Sequence, residues 1–430
     1  MKKNLYLLAA IVLSSLMLSC SSEDEENLGA AKKVVNMLSG SQPIELTKEQ
    51  EQFANDNNSF TLNFLKTVNE VDKSGKSFIY SPLSITYVLG MVNDAATGET
   101  ERELEKTLGF HEGGIQAVND YCRKLIDGLP KVDEKVTLNI ANALFVNKNI
   151  ATLKPKYQED MERYYNAKAE NLDFNSPATL HTINDWCNDH TNGMIPKILD
   201  DVDPMIVTYL LNAIYFKADW ASKFDQKNTK TEAFTTENGN TQVPLMHQNV
   251  LISYVKNNTY SAISIPYGNS CLWSMTVLLP EEGKSTDDVI AAMTEDGWKV
   301  GFTSLMGSYE VDLKLPRFDT YSDTNDIEDG LKGLMQRMGI HRAFDGVFSE
   351  IPNMCELPVY IDMMRQKAAI KVNEEGSEAA AVTVAGAVVT SIGGPIEYPK
   401  AIFHANRPFV YVISEASSGV ILFVGKFTGE

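Results

Sequence analysis

Residues Glu374–Ser391 read EEGSEAAAVTVAGAVVTS, and the fold turns on how this stretch is read. Two carboxylates and a glycine open it. No charge follows from Ala379 to Ile396, and no proline interrupts Gly376 to Gly394. Runs of alanine, glycine and serine make flexible linkers, and that is the plain reading. In a strand, however, side chains alternate between two faces. Ser377, Ala379, Ala381, Thr383, Ala385 and Ala387 would share one face, and each is small and uncharged. Glu378, Ala380, Val382, Val384, Gly386 and Val388 would take the other. The segment suits an exposed loop and equally suits a strand slid between existing strands. Its neighbours read as strands, Ala368–Val372 before it and Phe409–Ile413 and Val420–Val424 after it.

Elsewhere the pattern alternates between helix and strand. Thr47 is placed to cap a helix, with Glu49 and Glu51 in its first turn and Phe53, Phe60, Phe64, Leu65 and Val68 on one face. Ser77–Gly90 reads as a short strand running into a helix with proline in its first turn, and Gly98–Phe110 as a second helix. Val136–Val146 alternates as a strand, and Ile183–Ile195 is helix then a turn at Asn192–Gly193. Val207–Trp220 is a continuous apolar run, suited to a strand buried on both faces. Two strand runs fall within Ile263–Leu279, a clean alternation spans Glu310–Phe318, and Asp329–Ile340 reads as a helix. No repeat appears, and no linker composition interrupts residues 47–430, which predicts one domain.

Three strings together resemble the serpins: NEEGSEAAAVT (Asn373–Thr383), FIYSPLSI with ATGETERELEKTLGF (Phe78–Phe110), and FHANRPF (Phe403–Phe409). The resemblance runs from about Thr47 to the end of the chain. It implies an α+β fold with a large central, mostly antiparallel β-sheet, smaller sheets, about eight to nine helices and an exposed reactive loop at about residues 374–398. It also implies a suicide-substrate inhibitor of serine proteases, with cysteine proteases as a second target class, whose cleaved loop inserts into the main sheet and traps the acyl-enzyme. The hinge would be Glu374, Glu375, Gly376, Ser377, Glu378, Ala379, Ala380 and Ala381. The sheet-opening region would hold Ser81, Ser84, Asn212, Trp220, Arg317 and Gln366. At the Gln366 position many serpins carry histidine, so the chain departs from the family there. Arg317 and Glu374 keep opposite charges where serpins pair a base with the hinge glutamate. Counting fourteen residues from Gly376, as the family does, puts the reactive bond at Thr390–Ser391, with Val389 as the alternative. Ala387, Val388 and Val389 precede it, and no Lys or Arg lies between Val372 and Pro399. That suits an elastase-like target protease with a narrow apolar pocket, held as a covalent acyl complex.

Residues 1–19 carry Lys2 and Lys3 before an apolar core, Leu5–Leu18, as a signal peptide does. LMLSC ends at Cys20 like a bacterial lipobox, so Cys20 is the candidate lipidation site; plain cleavage beside an incidental cysteine is the other reading. Residues 20–46 are a polar tether whose acidic run, Ser21–Asn27, fits either a surface-export signal or a solvated spacer. These features predict an outer-membrane lipoprotein exposed at the cell surface, touching membrane only through its anchor. The net charge of −19 argues against nucleic acid or heparin as partners. Cys122, Cys187, Cys271 and Cys355 show no framework spacing and read as free thiols. The sequence contains no GxSxG, HExxH or GxGxxG, and the six histidines lack ligand spacing. No catalytic residue, metal or cofactor is expected. Two other readings stand beside the inhibitor: a non-inhibitory serpin acting as a surface binding lipoprotein, and a hydrolase on an unrelated fold.

Overall fold

A computed structural model describes residues 41–110, 113–236, 238–293, 307–377 and 397–429. Eight α-helices lie among them: α1 (Lys48–Val71), α2 (Pro82–Ala95), α3 (Gly98–Leu108), α4 (Gly114–Gly128), α5 (Pro155–Tyr165), α6 (Pro177–His190), α7 (Thr286–Ala292) and α8 (Gly330–Arg337). The strands in chain order are β1 (Phe78–Tyr80), β2 (Val136–Asn147), β3 (Lys168–Leu172), β4 (Thr208–Asp219), β5 (Lys230–Thr236), β6 (Gly239–Lys256), β7 (Tyr260–Tyr267) and β8 (Trp273–Pro280). There follow β9 (Gly307–Pro316), β10 (Phe318–Asp323), β11 (Met363–Val372), β12 (Gly376–Ser377), β13 (Lys400–His404), β14 (Phe409–Glu415) and β15 (Ile421–Phe427).

Local chemistry sets the element boundaries. Thr47 caps α1 through a capping box in which Gln50 returns the bond. Ser81 caps α2 with Pro82 in its first turn, and all of α2 except Asp94 is buried. This helix therefore has no solvent face, as expected for a helix enclosed between sheet layers. The packed body reaches a few residues upstream of Thr47, because Ile44 and Leu46 are buried and the Ile44 N–H donates to Ser417 Oγ.

Two sheets organise the rest. The first runs β10-β11-β12-β4-β2-β3, antiparallel except for β2–β3 and a direct parallel pairing of β11 with β4. The second runs β1-β15-β14-β8-β7-β6-β9-β13 with β5 on β6. The 18-residue strand β6 spans the second sheet, pairing β5 along its first residues, β9 along its middle and β7 along its last residues. This is the expected α+β architecture. Of the exposed loop expected at about residues 374–398, residues 378–396 lie outside the described residues, while Glu374 is buried and Gly376–Ser377 form a strand rather than exposed loop.

Alternation along β4 divides the core. Leu210, Ile214, Phe216 and Ala218 join the main core between the sheets. Tyr209, Leu211 and Ala213 join a second core beneath α6, with Ile183, Trp186 and Cys187. The first sheet is thus buried on both faces over its lower half, which explains the unbroken apolar run in the sequence.

Candidate functional site

The site is a split in the first sheet between β4 and β11. These strands pair directly from Met363↔Tyr209 to Lys367↔Ala213. Beyond that they separate: residues 368–371 and 214–217 do not pair with each other. At the far end, β12 fills the gap antiparallel to both, with Ser377 opposite Val372 on one side and Ala218 on the other. The hinge therefore already enters the sheet by two residues, and a closed seam lies below it. Nothing in the strand periodicity announced a two-residue strand.

Each hinge residue has a physical reason for its place. A Cβ on Gly376 would lie 2.0 Å from the Ala218 carbonyl oxygen, at a φ of +155°, so only glycine fits between the strands. Ser377 points into the main core, where its Oγ shares a 2.8 Å hydrogen bond with the buried Tyr267 hydroxyl. Glu374 is 2 % exposed; its carboxylate accepts from Thr229 Oγ1 at 2.6 Å and from Arg317 Nη2. Burial pushes the Glu374 carboxyl up, but the Arg317 and Thr229 hydrogen bonds outweigh it and hold the group below the usual range. Glu375 takes Lys223 Nζ at 2.8 Å, and Lys223 also reaches Asp219 at 3.2 Å. Trp220 clamps the hinge: its ring stacks on Tyr267 at 4.3 Å, Nε1 donates to the Asn373 carbonyl, and its N–H donates to the Glu375 carbonyl.

Lower in the seam sits a buried polar network. The Gln366 Nε2 donates to the Ser81 carbonyl (2.9 Å) and to Asn212 Oδ1 (3.2 Å), while Gln366 Oε1 accepts from the Ser81 N–H (2.9 Å). Asn212 Nδ2 donates onward to Asn142 Oδ1, and Ser81 Oγ donates to Ser84 Oγ and the Leu422 carbonyl. The amide at 366 thus bridges β11, β4 and the start of α2 with both ends satisfied. The network carries no group that titrates near neutral pH.

The structure brings together Ser81, Ser84, Asn212 and Gln366 in one place, and Trp220, Arg317 and Glu374 through Ser377 in another. Glu378, Ala379, Ala380, Ala381, Val389, Thr390, Ser391 and Cys20 lie outside the described residues. Sequence reading missed Thr229, Lys223 and Tyr267. It also missed a buried ion cluster in which Arg365 donates twice to Asp323, at 2.9 and 2.5 Å, with Lys367 Nζ 3.5 Å from the same carboxylate. The only available signal was two basic residues alternating in an apolar strand.

Among the described residues no group of three His, Cys, Asp or Glu side chains is placed to hold a metal. Cys122, Cys187 and Cys355 are free and buried, and burial pushes each thiol up to about 12, which disarms them as nucleophiles. Cys271 is free and exposed.

Comparison with known proteins agrees with this geometry. The serpin (serine protease inhibitor) family profile matches residues 55–429. An uncharacterized serpin-like protein of Thermococcus kodakarensis is 30% identical over 383 residues, covering 88% of this chain and 86% of that protein. Neuroserpin of Gallus gallus is 30% identical over 82% of this chain and 86% of its own. Among solved structures, the thermophilic serpin tengpin in its native state superposes with a TM-score of 0.77 at 25% identity, covering 90% of this chain and 96% of tengpin. The chain belongs to the serpin family of protease inhibitors.

Proposed function

We propose that the chain is a suicide-substrate inhibitor of elastase-like serine proteases, trapping the acyl-enzyme when the cleaved loop inserts between β4 and β11. One observation carries this reading. Where β12 separates the strands, Val372 lies across from Ala218; where they pair directly, Met363 lies across from Tyr209. The register offset is the same in both places, so the strands need only part sideways to admit another strand. Continued antiparallel from Ser377, that strand puts Ala381 between Ile214 and Ala368, Thr383 between Asn212 and Gln366, and Gly386 between Tyr209 and Met363. The Thr383 hydroxyl then arrives at the Gln366–Asn212 hydrogen bond that it must replace.

The magnitudes suffice. Inserting about a dozen residues at ~3.3 Å each moves an attached protease by about 40 Å. New ladder bonds at ~0.5–1.5 kcal/mol net give on the order of 10 kcal/mol. Losing one oxyanion-hole donor slows catalysis by roughly 10²–10³-fold, so this energy is ample to stall deacylation.

A binding role without inhibition is the second reading. Thyroxine-binding globulin in complex with thyroxine superposes at a TM-score of 0.75 and 26% identity, so the fold alone does not decide. The glycine-tight hinge and the unchanged register favour inhibition. The test is to mix the protein with an elastase-like and a trypsin-like protease. An SDS-stable adduct is expected with the former, releasing a fragment that begins at Ser391, or at Thr390 if Val389 precedes the cut. Cleavage without any adduct would leave the binding reading.

From the lipobox-like LMLSC and the acidic run after it, we further propose that the protein sits at the outer face of an outer membrane, tethered through lipid on Cys20. Among the described residues no helix is long and apolar enough to cross a membrane. Wild-type protein should label with a lipid precursor and be reached by external protease in intact cells. Cys20→Ala should abolish the labelling; labelling that survives the change would end the anchor assignment.

A further inference from the structure

We propose that Lys217 and Lys371 form a receptor for the Glu378 carboxylate, and that its capture is the first step of loop insertion. The proposal rests on the inhibitory reading above. One rung below Ser377 the two open strand edges face each other, with Lys217 on β4 and Lys371 on β11. Their outer neighbours in the same row are Thr137 on β2 and Asp319 on β10. Neither lysine makes an ion pair or a side-chain hydrogen bond among the described residues. Asp319 stands beside Lys371 without pairing to it, and Asp219, on the same face of β4, is taken by Lys223. In a chain with 57 acidic and 38 basic residues, two lysines without a partner face each other across one gap.

The chain supplies the matching charge at the matching place. Ser377 faces the main core, so in an inserted strand alternation would turn the following side chain to the opposite face, the lysine face. Continued by one residue in an inserted strand, the register that sets Ser377 against Ala218 and Val372 would set residue 378 against residues 217 and 371. Opposite charges directly across neighbouring strands attract, and like charges there repel. Empty, the slot holds two cations that oppose its closure. Filled by Glu378, it holds one anion between them. Glu378 is also the only charged residue from Ser377 to Ile396. The first residue to enter is therefore the one that needs a counter-charge, and every later one needs none.

The experiment measures the stoichiometry of inhibition against an elastase-like protease at low and high salt. With Lys217→Met and Lys371→Met combined, insertion slows relative to deacylation, and the stoichiometry should rise about three- to ten-fold. Glu378→Lys should do the same or worse. The charge-exchanged chain, Lys217→Glu, Lys371→Glu and Glu378→Lys together, should recover most of the loss, which a merely structural role would not allow. The effect should shrink at 1 M salt, where the screening length is about 3 Å. Melting of the uncut variants checks that they fold. If wild type traps protease and the methionine variant matches it, or charge exchange rescues nothing, this proposal falls alone. A wild type that neither traps protease nor gains stability on cleavage overturns the inhibitory reading and this one with it.

Discussion

Cutting the chain at Thr390–Ser391 is expected to raise its melting temperature by well over ten degrees. Below Ser377 the seam is closed on itself, with β4 bonded directly to β11 from Met363↔Tyr209 to Lys367↔Ala213. The seam is therefore shut to a further strand over these residues. While the chain is intact, its continuation at Lys400 is held in β13 against β9, so both ends of the loop are fixed at the sheets. On the proposed inhibitory reading, the native state is held by a barrier rather than by the free-energy minimum. Cleavage frees one end. Each strand edge gains a new partner, and the added ladder contributes on the order of 10 kcal/mol before side-chain burial. For a domain of this size each kcal/mol raises the midpoint by roughly one to two degrees. An ordinary loop, once nicked, leaves the midpoint unchanged or lower. Melting curves before and after cutting with an elastase-like protease decide the matter. An unchanged midpoint, with the cut confirmed by sequencing, would leave the serpin fold without its trapping mechanism.

The fold was legible because its cues are local. The Thr47 capping box, the Ser81–Pro82 helix start and the apolar run of β4 each follow from a few adjacent residues and a period. The strand read over Glu310–Phe318 proved to be two. Pro316 ends β9, and β10 starts at Phe318 in the other sheet, because proline cannot donate into a continuing ladder. The candidate site was only partly legible. Gly376 announces a close approach, but which backbone it approaches depends on β4, far away in sequence. Arg317 and Glu374 were placed together by family resemblance, and composition had no means of doing so. Thr229 completes that carboxylate's bonding from a loop 145 residues distant. The Asp323–Arg365–Lys367 cluster is hidden for a related reason: periodicity assigns a face to each residue but cannot say that two cations on one face share a carboxylate from the neighbouring strand.

Ala381→Glu is expected to convert the inhibitor into a substrate, cut at the reactive bond with release of active protease. Ser377 is turned inward onto Tyr267, and residue 381 lies two full alternations further along, on the same face. In the extended register it falls between Ile214 and Ala368, both fully buried in the main core with no polar partner beside them. A carboxylate there must be buried alone or must stop the strand, at a cost of several kcal/mol. Insertion halts after about three rungs, and deacylation proceeds unopposed. Val382→Glu should be much milder, for a reason the structure supplies. Its face is not open water, because α6 and the second core cover it. Its row neighbours are Ala213 and Lys367, however, and the Lys367 ammonium is already 3.5 Å from one carboxylate, Asp323. A second carboxylate at 382 meets that cation directly. The contrast should therefore vanish in a Lys367→Met background, where Val382→Glu loses its counter-charge and behaves as Ala381→Glu does. The measurement is the ratio of SDS-stable adduct to free cleaved chain for each variant, with the melting temperature of the cleaved form beside it. Equal trapping by Ala381→Glu and Val382→Glu would mean that the loop does not enter in the register set by Ser377.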